Sequence, residues 1–153
     1  MKRENIIKYG IPVLSVLLVA MLGTIFTNKG MDWFNELNKP SIWIKGFIIP
    51  IAWSIIYSLF TIYLIRLMDR NIERRLFYLL IINGILNVLW CLLFFSLNNT
   101  LLGEIVIILN VIFAYLLIGE VNVNDRLWSY LLFIYPIWLS IATFLNTAIW
   151  ILN

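Results

Sequence analysis

Two asparagine side chains interrupt an otherwise apolar run, LLIINGILNVLWCLLFF, at residues 79–95. Asn83 and Asn87 are one helical turn apart, in a segment long enough to cross a membrane. In hydrocarbon, each unpaired polar group costs on the order of several kcal/mol. The two amides therefore either bind a ligand or hydrogen-bond a neighbouring helix, and their spacing alone leaves both interpretations open.

Three apolar segments each place aromatic and polar or small side chains on one helical face. These candidate ligand-binding residues are Trp53 and Tyr57; Asn83, Asn87, Trp90 and Phe94; and Tyr135, Trp138, Ala142 and Leu145, with Asn146 as the alternative at the last position. At a rise of about 1.5 Å per residue, Trp53, Trp90 and Trp138 lie roughly 10 to 20 Å below the helix ends on one side of the membrane, although their helices run in different directions. That is too deep for an interfacial belt, which does explain Trp43 and Trp128 near the segment ends. The shared depth predicts a cavity opening toward that end, with plain helix packing as the alternative.

The composition is that of a membrane protein. The chain is 63% hydrophobic and 12% charged, with a mean hydropathy of +0.96. We predict an all-α membrane protein forming a single domain over residues 1–153, a bundle of five transmembrane helices. Their predicted positions are about 7–27, 47–67, 76–97, 101–119 and 128–151. A signal peptide is the alternative for the first segment, but its apolar run is long and no A-x-A site follows.

Missing residue types exclude several kinds of chemistry. The chain has no histidine and one cysteine, Cys91. Intrachain disulfides, His-ligated haem, histidine general-base catalysis and His- or multi-Cys-based metal sites are therefore excluded. We expect no metal and no resident cofactor. The net charge of +3 is concentrated near segment edges, which indicates membrane topology and no nucleic-acid binding.

The lysine and arginine distribution predicts the orientation. Eight of these residues fall on the side of the N-terminus. The other three, Lys29, Lys39 and Lys45, fall on the opposite side. The positive-inside rule then predicts an integral cell-membrane protein with a cytoplasmic N-terminus, an external C-terminus and an external 28–46 loop.

The 28–46 loop is the one long connection, and it is rich in aromatic residues. Asp32 could cap a short helix with Trp33 and Leu37 on one face, ended by Pro40. Such a loop is either a lid over the cavity or a segment lying on the lipid interface. Glu104 is the acid best placed inside a segment, and its closeness to the segment end predicts that it reaches the lipid headgroups.

Several motifs, in order, resemble the TspO/MBR family, the translocator or peripheral-type benzodiazepine receptor proteins. The motifs are WFNELNKPS at 33–41, W-x-x-x-Y at 53–57, N-x-x-W followed by a Phe pair at 87–95, and YPIWLSIATFLNTAIWILN at 135–153. The chain departs from the family pattern at Ile44 and Lys45, where the family usually has Pro-Pro. It also lacks the C-terminal sterol-recognition pattern of animal members.

The resemblance implies a bundle of five helices, commonly a homodimer, with a ligand pocket under the first loop. It implies binding of porphyrins, isoquinoline carboxamides or benzodiazepines, with Trp33, Phe34, Lys39 and Pro40 in the lid. Asn87 would be a pocket-wall donor beside Trp90.

Three functions follow as hypotheses. The first is binding, sensing or transport of tetrapyrroles, with Lys39 or Lys29 meeting the acid groups of a porphyrin. The second is an enzyme degrading protoporphyrin with light and oxygen. Trp53 and Trp138, which match family tryptophans implicated in that reaction, would be its catalytic residues. The third is a structural or partner-binding membrane protein.

Overall fold

A computed structural model describes residues 2–153, with side chains from residue 7 onward. This part of the chain is helical and contains no strand. The helices are α1 (Lys2–Lys29), α2 (Met31–Glu36), α3 (Ile48–Leu67), α4 (Arg74–Cys91), α5 (Thr100–Asn124), α6 (Arg126–Leu132) and α7 (Ile134–Leu152). Five stretches are long and apolar enough to cross a membrane: Ile7–Lys29, Ile48–Leu67, Arg74–Ser96, Thr100–Asn124 and Arg126–Leu152. The prediction of an all-α protein with five membrane spans is confirmed.

The five spans form a closed ring. Helix α1 packs against α3 and α4, α4 packs against α5, α5 against α7, and α7 against α3. The outer surface is apolar, with residues such as Leu14, Ile62 and Phe144 more than half exposed. An outer surface of this kind fits a lipid environment, in which helices satisfy their own backbone hydrogen bonds.

The two ends of the bundle differ in chemistry. One end, which we call the lid face, carries α2 and the end of α7. The other end, the arginine face, carries the connection between α3 and α4 and the connection between α5 and α6. Buried apolar clusters fill the bundle from one end to the other. They centre on Tyr63 and Leu117 toward the arginine face, on Ile56 and Leu139 in the middle, and on Phe94, Phe95 and Ile149 beneath the lid face.

The third span does not remain α-helical to its end. Residues Leu92–Ser96 form a π-helical turn, in which the Leu97 N–H donates to the carbonyl of Leu92 at 3.0 Å. A π turn holds one residue more than an α turn, so Phe94 and Phe95 are both buried. Asn98 follows with a φ of 53°, a left-handed conformation that asparagine tolerates. Asn99 then caps α5 by accepting from the Leu102 N–H at 2.9 Å.

The last span bends where α6 meets α7. Pro136 has no N–H to donate to the carbonyl of Leu132, so the helix breaks at Phe133 and restarts at Ile134. This span begins at Arg126, before the predicted start at 128, because Asp125 lies in extended conformation at the start of α6.

Ion pairs join helices on the arginine face. Asp125 accepts from Arg66 at 2.9 Å and lies 3.3 Å from Arg70, which ties α3 to the α5–α6 connection. Lys8 pairs with Asp69 at 2.7 Å and so ties α1 to the same face. Burial alone would raise the pKa of the Asp125 carboxyl, but the hydrogen bond and charge of Arg66, the Trp128 N–H and the charge of Arg70 outweigh it. The pKa of Asp125 therefore lies below its ordinary value.

Candidate ligand-binding site

A small chamber lies beneath the lid face, between α3, α4 and α7. Its volume is about 80 Å³. The predicted residues that line it are Trp53, Trp90, Phe94, Trp138, Ala142 and Leu145, joined by Phe34 of the lid. We call it the tryptophan chamber. The structure therefore brings the three deep tryptophans together, each from a different span.

The π-helical turn shapes one wall of the tryptophan chamber. Trp90 and Phe94 stack with ring centroids 6.0 Å apart and an interplanar angle of 25°. Phe95, the extra inward residue of the turn, meets Phe94 edge-on at 4.8 Å. Offset and edge-on pairs of this kind contribute roughly 0.5–1.5 kcal/mol each beyond area burial, so these contacts stabilise the wall.

The α2 helix and the residues after it close the chamber. The Trp33 ring lies edge-on to Phe94 at 5.7 Å, and Phe34 meets Phe95 at 5.3 Å. Gly30 fits directly against the backbone of Phe95, where any side chain would overlap the carbonyl oxygen. The loop therefore packs onto the bundle through these contacts, and we call residues 30–46 the lid.

Several expectations about the lid need correction. Asp32 does not cap α2, because the helix begins at Met31 and the capping position is Gly30. The helix ends at Glu36, where Leu37 turns to an extended conformation, so Pro40 follows the end without causing it. Trp43, which the sequence assigned to an interfacial belt, contacts Phe34 and lines the chamber.

Lys39 is turned back onto the lid. Its ammonium donates to the carbonyl oxygens of Phe34 at 2.8 Å, Asn35 at 3.2 Å and Leu37 at 3.3 Å. It also lies 4.8 Å above the centre of the Phe34 ring. Lys39 thus satisfies carbonyls at the end of α2. A cation at this end also interacts favourably with the negative end of the helix dipole. Its three donor hydrogens are engaged, so it is not positioned to meet an acid group at the mouth.

A buried polar network supports the chamber from behind. The Trp90 indole N–H donates to Asn146 Oδ1 at 3.1 Å, and Asn146 Nδ2 donates to Glu104 Oε2 at 2.8 Å. Thr147 Oγ1 lies 2.6 Å from Glu104 Oε1. Glu104 is only 6% exposed. The expectation that it reaches the headgroups is wrong, because α7 packs over it and supplies both partners.

The Trp138 indole behaves differently from that of Trp90. Its N–H is buried and has no hydrogen-bond partner among the described residues. An unpaired donor in an apolar wall is costly, and a ligand with an acceptor group would satisfy it.

The other predicted residues line a second space. Tyr57, Asn83, Asn87 and Tyr135 border a larger cavity of about 630 Å³, enclosed by α1, α3 and α4. We call it the asparagine cavity. Trp53 stacks on Tyr57 at 5.3 Å and meets Tyr135 at 6.5 Å, so these three rings lie between the two spaces. The sequence predicted one cavity, and the structure divides the predicted residues between two spaces because the asparagines lie deeper than the tryptophans on the shared face.

Asn83 also hydrogen-bonds a neighbouring helix, the alternative role that the sequence left open. Its Nδ2 donates to the carbonyl of Leu79 at 2.8 Å and to that of Phe113 in α5 at 3.1 Å. Tyr135 similarly donates to Asn110 Oδ1 at 3.2 Å, which joins α7 to α5. These two side chains thus join helices and also border the cavity.

The fold and the site define a class: a five-span helical membrane protein with a tryptophan-lined chamber under a short helical lid. The TspO/MBR family model matches residues 12–151, and the chain belongs to that family. It is similar to the tryptophan-rich protein TspO of Archaeoglobus fulgidus, at 31% identity over 97% of this chain and 99% of that protein. It is also similar to the protein CrtK of Rhodobacter capsulatus, at 32% identity over 86% and 83% of the two chains. A third relative is the membrane protein YtaB of Bacillus subtilis, at 28% identity over 90% of each chain.

Proposed function

We propose that this protein binds a porphyrin, or a similarly flat hydrophobic molecule, in the tryptophan chamber and acts in its binding, sensing or transport. The observation that carries the proposal is that indoles from three spans, Trp53, Trp90 and Trp138, line one chamber beneath one lid. Indole faces suit a flat aromatic ligand, and the buried Trp138 N–H has no partner among the described residues.

Ligand binding must enlarge the chamber. Pockets for drug-sized ligands measure roughly 300–1,000 Å³, whereas this chamber measures about 80 Å³. Phe34, Trp43 and Ile44 of the lid form part of its wall, so raising the lid adds volume directly. The proposal therefore includes an opening motion of residues 30–46 away from the bundle.

A second candidate function is the light- and oxygen-dependent breakdown of protoporphyrin. Two observations support this second function. Trp138 and Trp53 both line the chamber, and Trp53 stacks on another oxidisable ring, Tyr57. The chemistry would come from the excited porphyrin and oxygen, while the protein would position the ligand next to oxidisable side chains.

Titration of the purified protein with protoporphyrin, haem and a sterol, read by tryptophan fluorescence, tests the binding proposal. An Ala142→Trp variant fills the chamber and should abolish porphyrin binding. Phe144→Trp, on the exposed face of the same helix, is the matched control and should bind normally. Binding that survives Ala142→Trp would place the ligand elsewhere, and no binding to the unaltered protein would favour a structural or partner-binding role.

A further inference from the structure

The asparagine cavity is a second space in the bundle, and its lining differs from that of the tryptophan chamber. Its volume of about 630 Å³ lies within the range of roughly 300–1,000 Å³ that ligand pockets occupy. Its walls are apolar side chains such as Val16, Phe60 and Leu80. The rings of Trp53, Tyr57 and Tyr135 separate it from the tryptophan chamber, so a ligand here is distinct from the proposed porphyrin.

The cavity reaches the lipid-facing surface between α1 and α4. Helices α1 and α4 meet closely at Gly84, where an added side-chain carbon would lie 3.5 Å from Val19. Toward the arginine face, exposed residues of both helices line the cavity: Ile11 at 52% and Leu18 at 52% on α1, and Phe77 at 48% and Ile81 at 43% on α4. None of the residues lining the cavity is charged. A ligand would therefore enter sideways from the bilayer.

Two residues that line the cavity have buried acceptor atoms without partners. Asn83 and Asn87 are each 4% exposed, and neither Oδ1 atom has a hydrogen-bond partner among the described residues. The amide orientation of Asn83 is fixed, because its Nδ2 faces two carbonyl oxygens that can only accept. Two buried acceptors call for a ligand that donates a hydrogen bond.

The charge of the ligand follows from the same residues. A carboxylate would bring a third acceptor to the two amide oxygens, and no cationic side chain lines the cavity to offset its charge. An ammonium group would donate, but burying its charge in apolar surroundings is costly. A neutral hydroxyl donates without charge. We propose that the asparagine cavity binds a long-chain alcohol taken from the bilayer, with its hydroxyl donating to Asn87 and its chain extending toward the α1–α4 opening.

Binding of tritiated hexadecanol to the protein in lipid nanodiscs tests this site, with empty nanodiscs as the blank. We expect saturable binding near one alcohol per chain, and at least tenfold weaker binding of hexadecanoate at neutral pH. The Asn87→Leu variant keeps the branched shape of the side chain and should weaken alcohol binding by about tenfold, the scale of one lost hydrogen bond. Asn122→Leu, exposed at the arginine face, should leave binding unchanged.

A second measurement does not depend on altering the buried asparagines. Ser15 lines the cavity and is exposed. In a Ser15→Cys variant with Cys91 replaced by alanine, bound hexadecanol should slow labelling by a membrane-permeant maleimide several-fold. Equal binding of alcohol and carboxylate, or unchanged binding by Asn87→Leu, would overturn the proposal. Protection of Ser15→Cys that depends on protein concentration but not on alcohol would instead identify a second copy of the chain over the opening, and would also overturn it.

This inference stands apart from the proposed porphyrin site. Ala142→Trp fills the tryptophan chamber and should leave hexadecanol binding unchanged, since Ala142 does not line the asparagine cavity. Loss of both ligands in that variant would show that the two spaces act as one and would overturn the proposal of a separate site.

Discussion

Asn38 in the lid and Asn153 at the end of α7 each donate a hydrogen bond to the other. The Asn38 backbone N–H donates to Asn153 Oδ1 at 2.9 Å, and Asn153 Nδ2 donates to the Asn38 carbonyl at 3.1 Å. Both residues are exposed, so this pair holds the lid closed at its accessible edge. Each bond contributes on the order of 0.5–1.5 kcal/mol net, which is small enough for a ligand to overcome.

Breaking this pair should loosen the lid. In an Asn153→Ala variant, we expect trypsin to cleave faster after Lys45, by about three- to tenfold at the energies above. Bound porphyrin should slow cleavage in the unaltered protein. The control is Asn35→Ala. Asn35 is exposed in the lid, and its side chain makes no hydrogen bond to the described residues. Equal cleavage of all three proteins would mean that the aromatic contacts alone hold the lid.

Phenylalanine variants should separate binding from photochemistry. Trp53→Phe and Trp138→Phe keep an aromatic face, so porphyrin affinity should fall by roughly 1 kcal/mol. If the indoles take part in breakdown, illuminated turnover should fall far more than affinity. Both quantities are measured on the same preparations, with illuminated porphyrin alone as the blank. Trp128→Phe, which packs on Tyr63 near the arginine face, is the control. Equal losses in affinity and turnover would argue for a binding protein.

The Glu104 network should tolerate an amide but not a truncation. Thr147 has one hydroxyl hydrogen, yet both Glu104 Oε1 and the Thr143 carbonyl, at 2.9 Å, lie within its reach. In Glu104→Gln, the new amide can donate to Thr147, which then donates to Thr143, and stability should change little. Glu104→Ala leaves buried groups unpaired and should destabilise by about 1–3 kcal/mol.

Thermal unfolding in detergent measures the stability of the two Glu104 variants. Intrinsic tryptophan fluorescence should shift in Glu104→Ala, because Asn146, which accepts from the Trp90 indole, loses the partner that orients it. A Gln variant as unstable as the Ala variant would contradict this hydrogen-bond assignment.

Acid should weaken the arginine face through Asp125. The pKa of this carboxyl is lowered in the folded protein, so its contribution to stability is present above the ordinary value of about 3.8 and is lost as the pH falls through the folded value. Asp125→Asn should therefore reduce stability at pH 7 and narrow the difference in stability between pH 7 and pH 3. Asp32→Asn, in the exposed first turn of α2, is the control, and an equal effect of both changes would contradict the prediction.

The lysine and arginine distribution predicts that the lid face is external. With Cys91 replaced, an Asn153→Cys variant should react with an impermeant maleimide on intact cells. Asn71→Cys, exposed on the arginine face, should react only after permeabilisation. The reverse pattern would show that the N-terminus is external.

Helical periodicity and distance from the helix end together grouped Trp53, Trp90 and Trp138, because all three lie in one half of their spans. Periodicity alone decided the placement of the asparagines. It placed Asn83 and Asn87 in the same cavity because a helical face carries no information about depth. Asn83 is seven residues from Trp90, which is about 10 Å along the axis.

The supporting contacts could not be predicted in this way. The partners of Glu104 are 42 and 43 residues away, and those of Asn38 are 115 away. Such pairs depend on how α7 sits against α5 and the lid. An acid inside a membrane span was the available signal for the Glu104 network.

The π-helical turn at Leu92–Ser96 sets the rotational phase of the chamber wall. Each residue of an α-helix turns the chain by about 100°, and the π turn fits one extra residue between Trp90 and the cap at Asn99. Loss of one residue here would let the segment close into a regular α-helix. Trp90 and Phe94 would then rotate relative to α5, and the indole would no longer reach Asn146. The extra residue thus works as an angular offset that keeps the aromatic wall facing inward.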